Sequence, residues 1–477
     1  MASGDVFDRE SENLAVPKVG ILTMFRLGLF QMGLSMMSIL TLGVLNRVMI
    51  QEIAIPATLA SVMLALPAFV SPSRVWFGQI SDAKPLWGYH RTAYVWVGAA
   101  ILAIAAFCAV QIIWQLNLVV SGAQGWVWTT QTIGWMAVLS LIFAIYGLAV
   151  SASGTAFAAL LVDVSEENNR SQVVGIVWSV LMVGIIVGAV ISSRLLKQIT
   201  ADAPIEVIQP AVNRLFIIVP AIVFGLSIAA TWGVEKKYSL YTKRSQLVNR
   251  EDSITLGAAW KILTASPQTG LFFTFLLVMT ISLFMQDPIL EPYAGQVFKM
   301  PLAESTMLNT FYGTGILIAY GSTGFLVVPR IGKRRTTRIG CILVAFAAIL
   351  LGLSGFSGNP NFLKFALVIF GLATGFVTTG AVSLMLDLTV AEAAGTFIGA
   401  WGLAQSISRG TATVIGGTVL DIGKKFIPNL VLAYGLVFGL EAFGMLLSLW
   451  FLSRVNVTEF QTTTAKAIAT VLESDLD

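Results

Sequence analysis

Apolar runs long enough to cross a bilayer recur along nearly the whole chain. A transmembrane helix needs about 20 mostly apolar residues, and turn signals between the runs divide them into twelve predicted spans. The predicted spans lie near 22–49, 57–80, 92–114, 133–161, 172–194, 214–234, 269–290, 305–328, 338–356, 363–387, 395–420 and 430–452. Only 11% of the residues are charged, whereas soluble domains carry about 25%. The sequence therefore predicts an all-α integral membrane protein.

Basic residues predict how these spans are oriented. Most of the 29 Lys and Arg residues fall in loops and tails on the side that holds both termini, chiefly in "EKKYSLYTKRSQLVNRED" and "PRIGKRRTTR". Cytoplasmic loops are enriched in Lys and Arg, so both termini are predicted to be cytoplasmic. The central loop, 235–268, also contains "ITLGAAWKIL", which predicts a short amphipathic helix on the membrane surface.

Two segments 224 residues apart resemble each other. Each of "LLVDVSEENNRSQVVG" (160–175) and "LMLDLTVAEAAGTFIG" (384–399) has a Leu three residues before an Asp and a Gly twelve residues after it. Both segments join an even-numbered span to the next one. A repeat of six spans in the same orientation predicts two six-helix bundles, 1–234 and 269–477, joined by the central loop. This is the plan of the major facilitator superfamily.

A second pair of segments follows the same repeat. "GQISDAKPLWGYHR" (78–91) lies between spans 2 and 3, and "GFLVVPRIGKRR" (324–335) lies between spans 8 and 9. The first resembles the cytoplasmic signature of the superfamily through Gly78, Asp82, Gly88 and Arg91. We interpret these four residues as a cytoplasmic gate in which Asp82 pairs with Arg91, against the alternative of a solvated helix-end acid. Val328 takes the position of Asp82 in the second copy.

Several blocks along the chain resemble the PucC family, a bacteriochlorophyll delivery group of that superfamily. They include "RLGLFQMG" (26–33), "PSRVWFGQISD" (72–82) with "LWGYHR", "QDPILEPYAG" (286–295), "LMLDLT" and "GAWGLAQSISRG" (399–410). The resemblance implies a role in assembling chlorophyll-binding light-harvesting or photosystem proteins. Its implied partners are antenna apoproteins and a chlorophyll-type pigment, with chlorophyll or bacteriochlorophyll as a bound ligand. It also implies a location in a thylakoid or cytoplasmic photosynthetic membrane.

Polar residues inside the predicted spans are candidate ligand or cavity positions, since ionisable groups are expensive in a bilayer. Arg74 lies about two turns before Asp82, too deep for the interface, and is expected to face a cavity. Arg26 can instead reach the interface along its own stem. Arg409 and Glu441 are expected to pair with each other. The remaining candidates in this group are Gln31 in span 1 and Gln405 in span 11.

The stretch "MQDPILEPYAGQVF" (285–298) follows span 7 and places Gln286, Asp287 and Glu291 beside two prolines. Each proline lacks an N–H, so the chain is expected to bend here and leave carbonyls unpaired. Such backbone survives at membrane depth only inside protein or beside a cavity. We therefore expect this stretch to handle a ligand, the alternative being two solvated acids in a turn.

Asp163 and Asp387 are related by the repeat and are expected to cap the helices that follow them. The chain contains one histidine, two cysteines and no phosphate-binding glycine loop. We therefore predict no metal site, no ATP or nucleic acid as a partner and no enzymatic activity. Two functions stay open: a pigment-assembly factor, and a proton-coupled secondary transporter of a small amphiphile.

Overall fold

The computed structural model describes residues 19–123, 125–165, 170–239, 267–387, 394–456 and 459. Within these residues the chain is almost entirely helical and forms no strand beyond one isolated bridge, between Leu86 and Tyr89. Ten helices in the described part are long and apolar enough to cross a membrane. The predicted all-α membrane fold is therefore confirmed.

The described residues of the first half of the chain form eight helices. We number them α1 (Ile21–Glu52), α2 (Ala57–Phe69), α3 (Ser73–Ala83), α4 (Thr92–Gly122), α5 (Thr130–Val164), α6 (Arg170–Leu195), α7 (Ile205–Thr231) and α8 (Val234–Tyr238). Helices α2 and α3 together form one candidate span, interrupted by a turn at Val70–Pro72. Helix α4 continues to Gly122, well past the predicted end at residue 114, because "LNLVV" is as compatible with a helix as the span before it.

In the second half of the chain, the residues that the structure describes form seven more helices. These are α9 (Pro267–Phe284), α10 (Leu290–Phe298), α11 (Leu302–Ile331), α12 (Lys333–Ser357), α13 (Pro360–Asp387), α14 (Ala394–Phe426) and α15 (Leu430–Arg454). Helices α9 and α14 correspond to predicted spans 7 and 11 but are not among the ten candidate spans. The count of twelve spans, the bundle boundaries and the cytoplasmic termini thus stay predictions. Most of the predicted central loop, including "ITLGAAWKIL", lies outside the described residues.

Glycines let neighbouring helices approach closely within each half. A methyl group added at Gly147 of α5 would lie 2.6 Å from the Pro67 Cα of α2. One added at Gly340 of α12 would lie 2.6 Å from the Val377 Cα of α13. Membrane helices associate through such small residues because lipid supplies no hydrophobic drive between apolar faces.

Two helix pairs make the most extensive contacts between the halves. Helix α6 packs against α11, and the α2 helix packs against α14. In the second pair, a methyl group added at Gly410 would lie 2.9 Å from Ala68 Cβ, and one at Gly417 would lie 2.5 Å from the Ala57 carbonyl oxygen. The close approach of α2 and α14 positions the polar contacts described next.

Candidate functional site

The chain turns at Met285–Ile289, directly after α9, and then enters the short helix α10. Pro288 lies in the turn, as expected of a residue that cannot donate a backbone hydrogen bond. Pro292 was expected to prevent a helix as well, and that expectation is wrong: Pro292 is the third residue of α10. The first-turn N–H groups of a helix have no intrahelical partner, so a proline is tolerated there.

The carbonyl oxygen left free in this turn is used by the other half of the chain. The side-chain amide of Asn46, in α1, donates to Pro288 O at 2.5 Å. Asn46 is fully buried. The bond joins residues 242 positions apart and ties the end of α1 to the bend after α9.

Glu291 is almost completely buried and is bound by its own half of the chain. Its carboxylate accepts hydrogen bonds from Asn309 Nδ2 at 2.8 Å and from Thr306 Oγ1 at 3.3 Å. On its other side lies Gly43 of α1, where any added Cβ would collide with Glu291 Oε1. The alternative of a solvated acid is therefore wrong for Glu291, because helix packing removes it from solvent.

Arg47 makes three hydrogen bonds to the other half of the chain. Its guanidinium, only 1% exposed, donates to Met300 O at 2.7 Å, to Pro301 O at 3.2 Å and to the Ser305 hydroxyl. Glu52, in the last turn of α1, lies 3.9 Å from Arg47 Nε. No sequence motif marks Arg47 as a contact between the halves. The signal was an arginine two residues inside the predicted end of span 1.

A further contact between the halves lies beside this one. Asp421 of α14 accepts from the backbone N–H groups of Ala57 and Thr58 at 3.0 and 2.7 Å, and from the Thr58 hydroxyl at 2.7 Å. Asp421 therefore caps the N-terminus of α2 from the opposite half. Because the capped N–H groups and the capping acid are 363 residues apart, local sequence patterns could not reveal this pairing.

We call this set of contacts the distal junction, since it lies at the end of the molecule opposite Asp82. It consists of Gly43, Asn46, Arg47, Ala57 and Thr58 from the first half, and Pro288, Glu291, Met300, Pro301, Ser305 and Asp421 from the second. Buried hydrogen bonds to charged groups are each worth about 1.5–3 kcal/mol. The junction therefore holds the two halves together at this end.

Arg409 pairs with Asp287, so the expected pairing of Arg409 with Glu441 is wrong. Arg409 Nη2 lies 3.2 Å from Asp287 Oδ2, and the guanidinium lies 4.3 Å from the centre of the Phe284 ring. Gln286 Nε2 donates to the other oxygen of Asp287 at 2.7 Å. The packing of α14 against α9 brings Arg409 to the bend after α9, and this decides its partner.

Glu441 lies near the middle of α15 and is wholly buried. Neither of its carboxyl oxygens has a hydrogen-bond partner among the described residues. Gln405, one turn before Arg409 on α14, is half-buried. The roles predicted for these two residues stay predictions.

At the opposite end, Arg91 binds two acids. Its guanidinium lies 2.5 Å from Asp82 and 2.9 Å from Asp163, and it donates to the Ser81 hydroxyl at 2.7 Å. Burial opposes the charge, but the hydrogen bonds and charges of Asp163 and Asp82 outweigh it and raise the pKa of Arg91 above its ordinary value. The pairing of Asp82 with Arg91 is present as expected. Its action as a gate stays a prediction.

Asp163 was expected to cap the helix that follows it, and this stays a prediction because residues 166–169 lie outside the described part of the chain. Asp163 lies inside the last turn of α5, where its carboxylate accepts from Arg91 Nε. A different acid, Glu235, caps the start of α4 by accepting from the backbone N–H groups of His90, Arg91 and Thr92. Glu235 stands in a charged run after span 6, and nothing in that run marks it as a cap.

Gly78 and Gly88 occupy different environments. Gly88 has φ +77°, a left-handed conformation that disfavours other residues, in the turn that presents Arg91. Gly78 lies on the face of α3 that packs against α5, where an added Cβ would meet Thr155 at 3.6 Å. Gly88 thus helps to position the Asp82–Arg91 pair, whereas the space at Gly78 would accept a methyl group.

The other predicted positions are scattered. Arg26 is half-buried and donates to the carbonyls of Ala229 and Trp232 at 2.6 and 2.5 Å, so it binds the C-terminal end of α7. Gln31 is half-buried, and Arg74 is exposed on α3. Asp387 ends α13, and its side chain lies outside the described residues. The cavity roles of Arg74 and Gln31 stay predictions.

Comparison with known proteins identifies the family of this chain. The profile of the "PUCC protein" family matches residues 44–460. The chain belongs to this PucC family. "Bacteriochlorophyll synthase 44.5 kDa chain" of Rhodobacter capsulatus is 30% identical over 438 residues, covering 89% of this chain and 93% of the relative. "Protein PucC" of the same organism is 29% identical over 447 residues, covering 92% and 93%.

Solved structures confirm the transporter-type fold expected of a PucC-family chain. A bacterial homologue of the lysosomal transporter Spinster has a TM-score of 0.67 at 12% identity, covering 92% of this chain and 97% of that one. The nucleoside transporter NupG has a TM-score of 0.62 at 13% identity, covering 91% and 98%. Every member of the distal junction except Gly43 falls inside the region that defines the PucC family.

Proposed function

We propose that this protein assists the assembly of chlorophyll-binding light-harvesting or photosystem complexes in a photosynthetic membrane. It would deliver chlorophyll or bacteriochlorophyll, or hold an antenna apoprotein until pigment is inserted. The observation that carries the proposal is the PucC family match over residues 44–460. The name of one relative also refers to bacteriochlorophyll. Light-harvesting or photosystem apoproteins and a chlorophyll-type pigment would be its partners.

The distal junction offers a way for such a protein to take up and release a bulky apolar cargo. In folds of this class, ligands bind between the two repeats, which rock against each other around the site. Here the stretch after α9 supplies Pro288 and Glu291 to the contact with α1. A change in these contacts would alter how the halves separate, and therefore when the cargo can enter or leave.

A proton-coupled secondary transporter of a small amphiphile is the second candidate function. The fold it shares with solved transporters supports it. So do the buried carboxylate of Glu291 and the partly buried carboxylate of Asp287, since ionisable groups inside a membrane frequently mark proton or ligand paths. Both candidate functions are non-enzymatic, in keeping with a fold shared with transporters.

Purification of the tagged protein from its own photosynthetic cells separates these functions. We expect chlorophyll-type absorbance and antenna peptides to co-purify, as measured by spectroscopy and mass spectrometry. A tagged membrane protein of similar abundance from the same cells controls for pigment that adheres non-specifically. Proton-driven uptake by proteoliposomes, with no pigment or antenna enrichment over that control, would favour the transporter instead.

A further inference from the structure

Glu441 differs from the other buried acids of the second half. Glu291 accepts hydrogen bonds from Asn309 and Thr306, and Asp287 accepts them from Arg409 and Gln286. Glu441 is 0% exposed, and neither oxygen has a partner in the described part of the chain. An ionised carboxylate that is buried without hydrogen bonds is so costly that the group takes up a proton instead.

Helix packing places Glu441 level with the bend after α9. Helices α9 and α15 pack together, and Gly444 lies against the Ser282 side chain. Glu441 is three residues before Gly444 in α15, which is about 4.5 Å along the axis. The chain directions of α9 and α15 are opposed, so this shift moves Glu441 toward Gln286 and Asp287. The Asp287 charge accordingly acts on Glu441.

Charge balance at this level favours a neutral Glu441. Arg409 supplies one positive charge, which Asp287 already neutralises at 3.2 Å. A second ionised carboxylate would add an uncompensated negative charge, and two carboxylates that share a site resist double ionisation. The other titratable groups on elements that pack against α15 interact with different parts of it. Cys341 contacts Ser448, Lys424 and Tyr293 lie at Tyr434, and Arg334 donates to the carbonyl oxygens of Leu452 and Ser453.

We propose that Glu441 is a proton-binding site whose occupancy is coupled to the Asp287–Arg409 ion pair. While Asp287 holds Arg409, Glu441 carries the proton. If Asp287 loses its charge, Arg409 becomes available to Glu441, which then releases its proton. Gln286 Oε1 is a buried acceptor that has no donor among the described residues, and the hydroxyl of a protonated Glu441 would supply one. The inference does not depend on which cargo the protein handles.

Infrared spectroscopy of the full chain in nanodiscs tests the site directly. A protonated carboxylic acid has a C=O stretching band that shifts on exchange into deuterated water. We expect the wild-type protein to contain such a band and E441Q to lack it. E304Q removes an exposed acid in the first turn of α11, and its spectrum should match that of the wild type. A band that persists unchanged in E441Q would overturn the proposal.

The coupling is tested by D287N, which leaves Glu441 in place. We expect the band assigned to Glu441 to be lost in D287N, because Arg409 no longer has Asp287 as a partner. Retention of that band in D287N would show that burial alone keeps Glu441 protonated, and would overturn the coupling. If E441Q fails to fold, D287N still decides: loss of one protonated-carboxyl band supports the proposal, and an unchanged spectrum contradicts it.

Discussion

Replacing Arg47 by alanine should release the distal junction. The guanidinium binds Met300 O, Pro301 O and the Ser305 hydroxyl, all in the other half of the chain. Arg47→Ala would leave these three acceptors buried without their donor. It would also remove the positive charge from beside Glu52. Because Arg47 is only 1% exposed, its removal takes donors from acceptors that lie inside the packed contact.

The expected magnitude follows from these contacts. A buried acceptor left without a donor costs about 1–3 kcal/mol, and loss of one partner of a buried ion pair costs about 3–5 kcal/mol. Since the two contributions overlap, we expect the closed junction to lose about 3–5 kcal/mol. A factor of ten corresponds to about 1.4 kcal/mol, so the equilibrium should shift toward separated halves by roughly two to four orders of magnitude.

Spin-label distances across the junction measure this shift. Asp202 and Asn359 are exposed in loops at the distal end, one in each half, and can be replaced by labelled cysteines in a C108A, C341A background. We expect R47A to populate longer distances than the parent protein. Its melting temperature should also fall.

Arg194 provides the matched control, because it is an exposed arginine in the last turn of α6, at the same end of the protein. Arg194→Ala should leave both the distance distribution and the melting temperature unchanged. If R47A and R194A gave the same distances as the parent protein, the junction would not hold the halves together and the reasoning would be refuted.

Three further predictions concern other contacts. Gly43→Ala should destabilise the protein by about 1–3 kcal/mol, because the added methyl collides with Glu291. The melting temperature should fall accordingly, and an unchanged melting curve would contradict that packing. Asp163→Asn should destabilise the protein more than Asp82→Asn in thermal unfolding, since the Asp163 side chain is 9% exposed and that of Asp82 is 55% exposed; equal effects would argue against the buried pair. The double change Asp287→Asn with Glu291→Gln should reduce antenna levels in photosynthetic cells while membrane abundance stays near wild type, and normal antenna levels would remove this stretch from the proposed function.

The sequence by itself determined the class of the protein and its family. Helix formation in a bilayer requires long apolar runs, because every backbone N–H and C=O must be satisfied within the segment. Run length is a local property of the sequence. Ten of the predicted spans accordingly correspond to helices that are long and apolar enough to cross a membrane. The motif blocks, including "QDPILEPYAG", are equally local, and they indicate the PucC family without any knowledge of the tertiary structure.

Tertiary structure decided the partners of the charged residues. Arg409 was expected to meet Glu441 because both lie deep in the second half, but the rotation of α14 directs it to Asp287. The contacts of Arg47 could not be predicted from the sequence, because its acceptors lie more than 250 residues away along the chain. Which faces of two helices meet depends on how all the helices pack together, and hydropathy does not carry that information along nearly uniformly apolar spans.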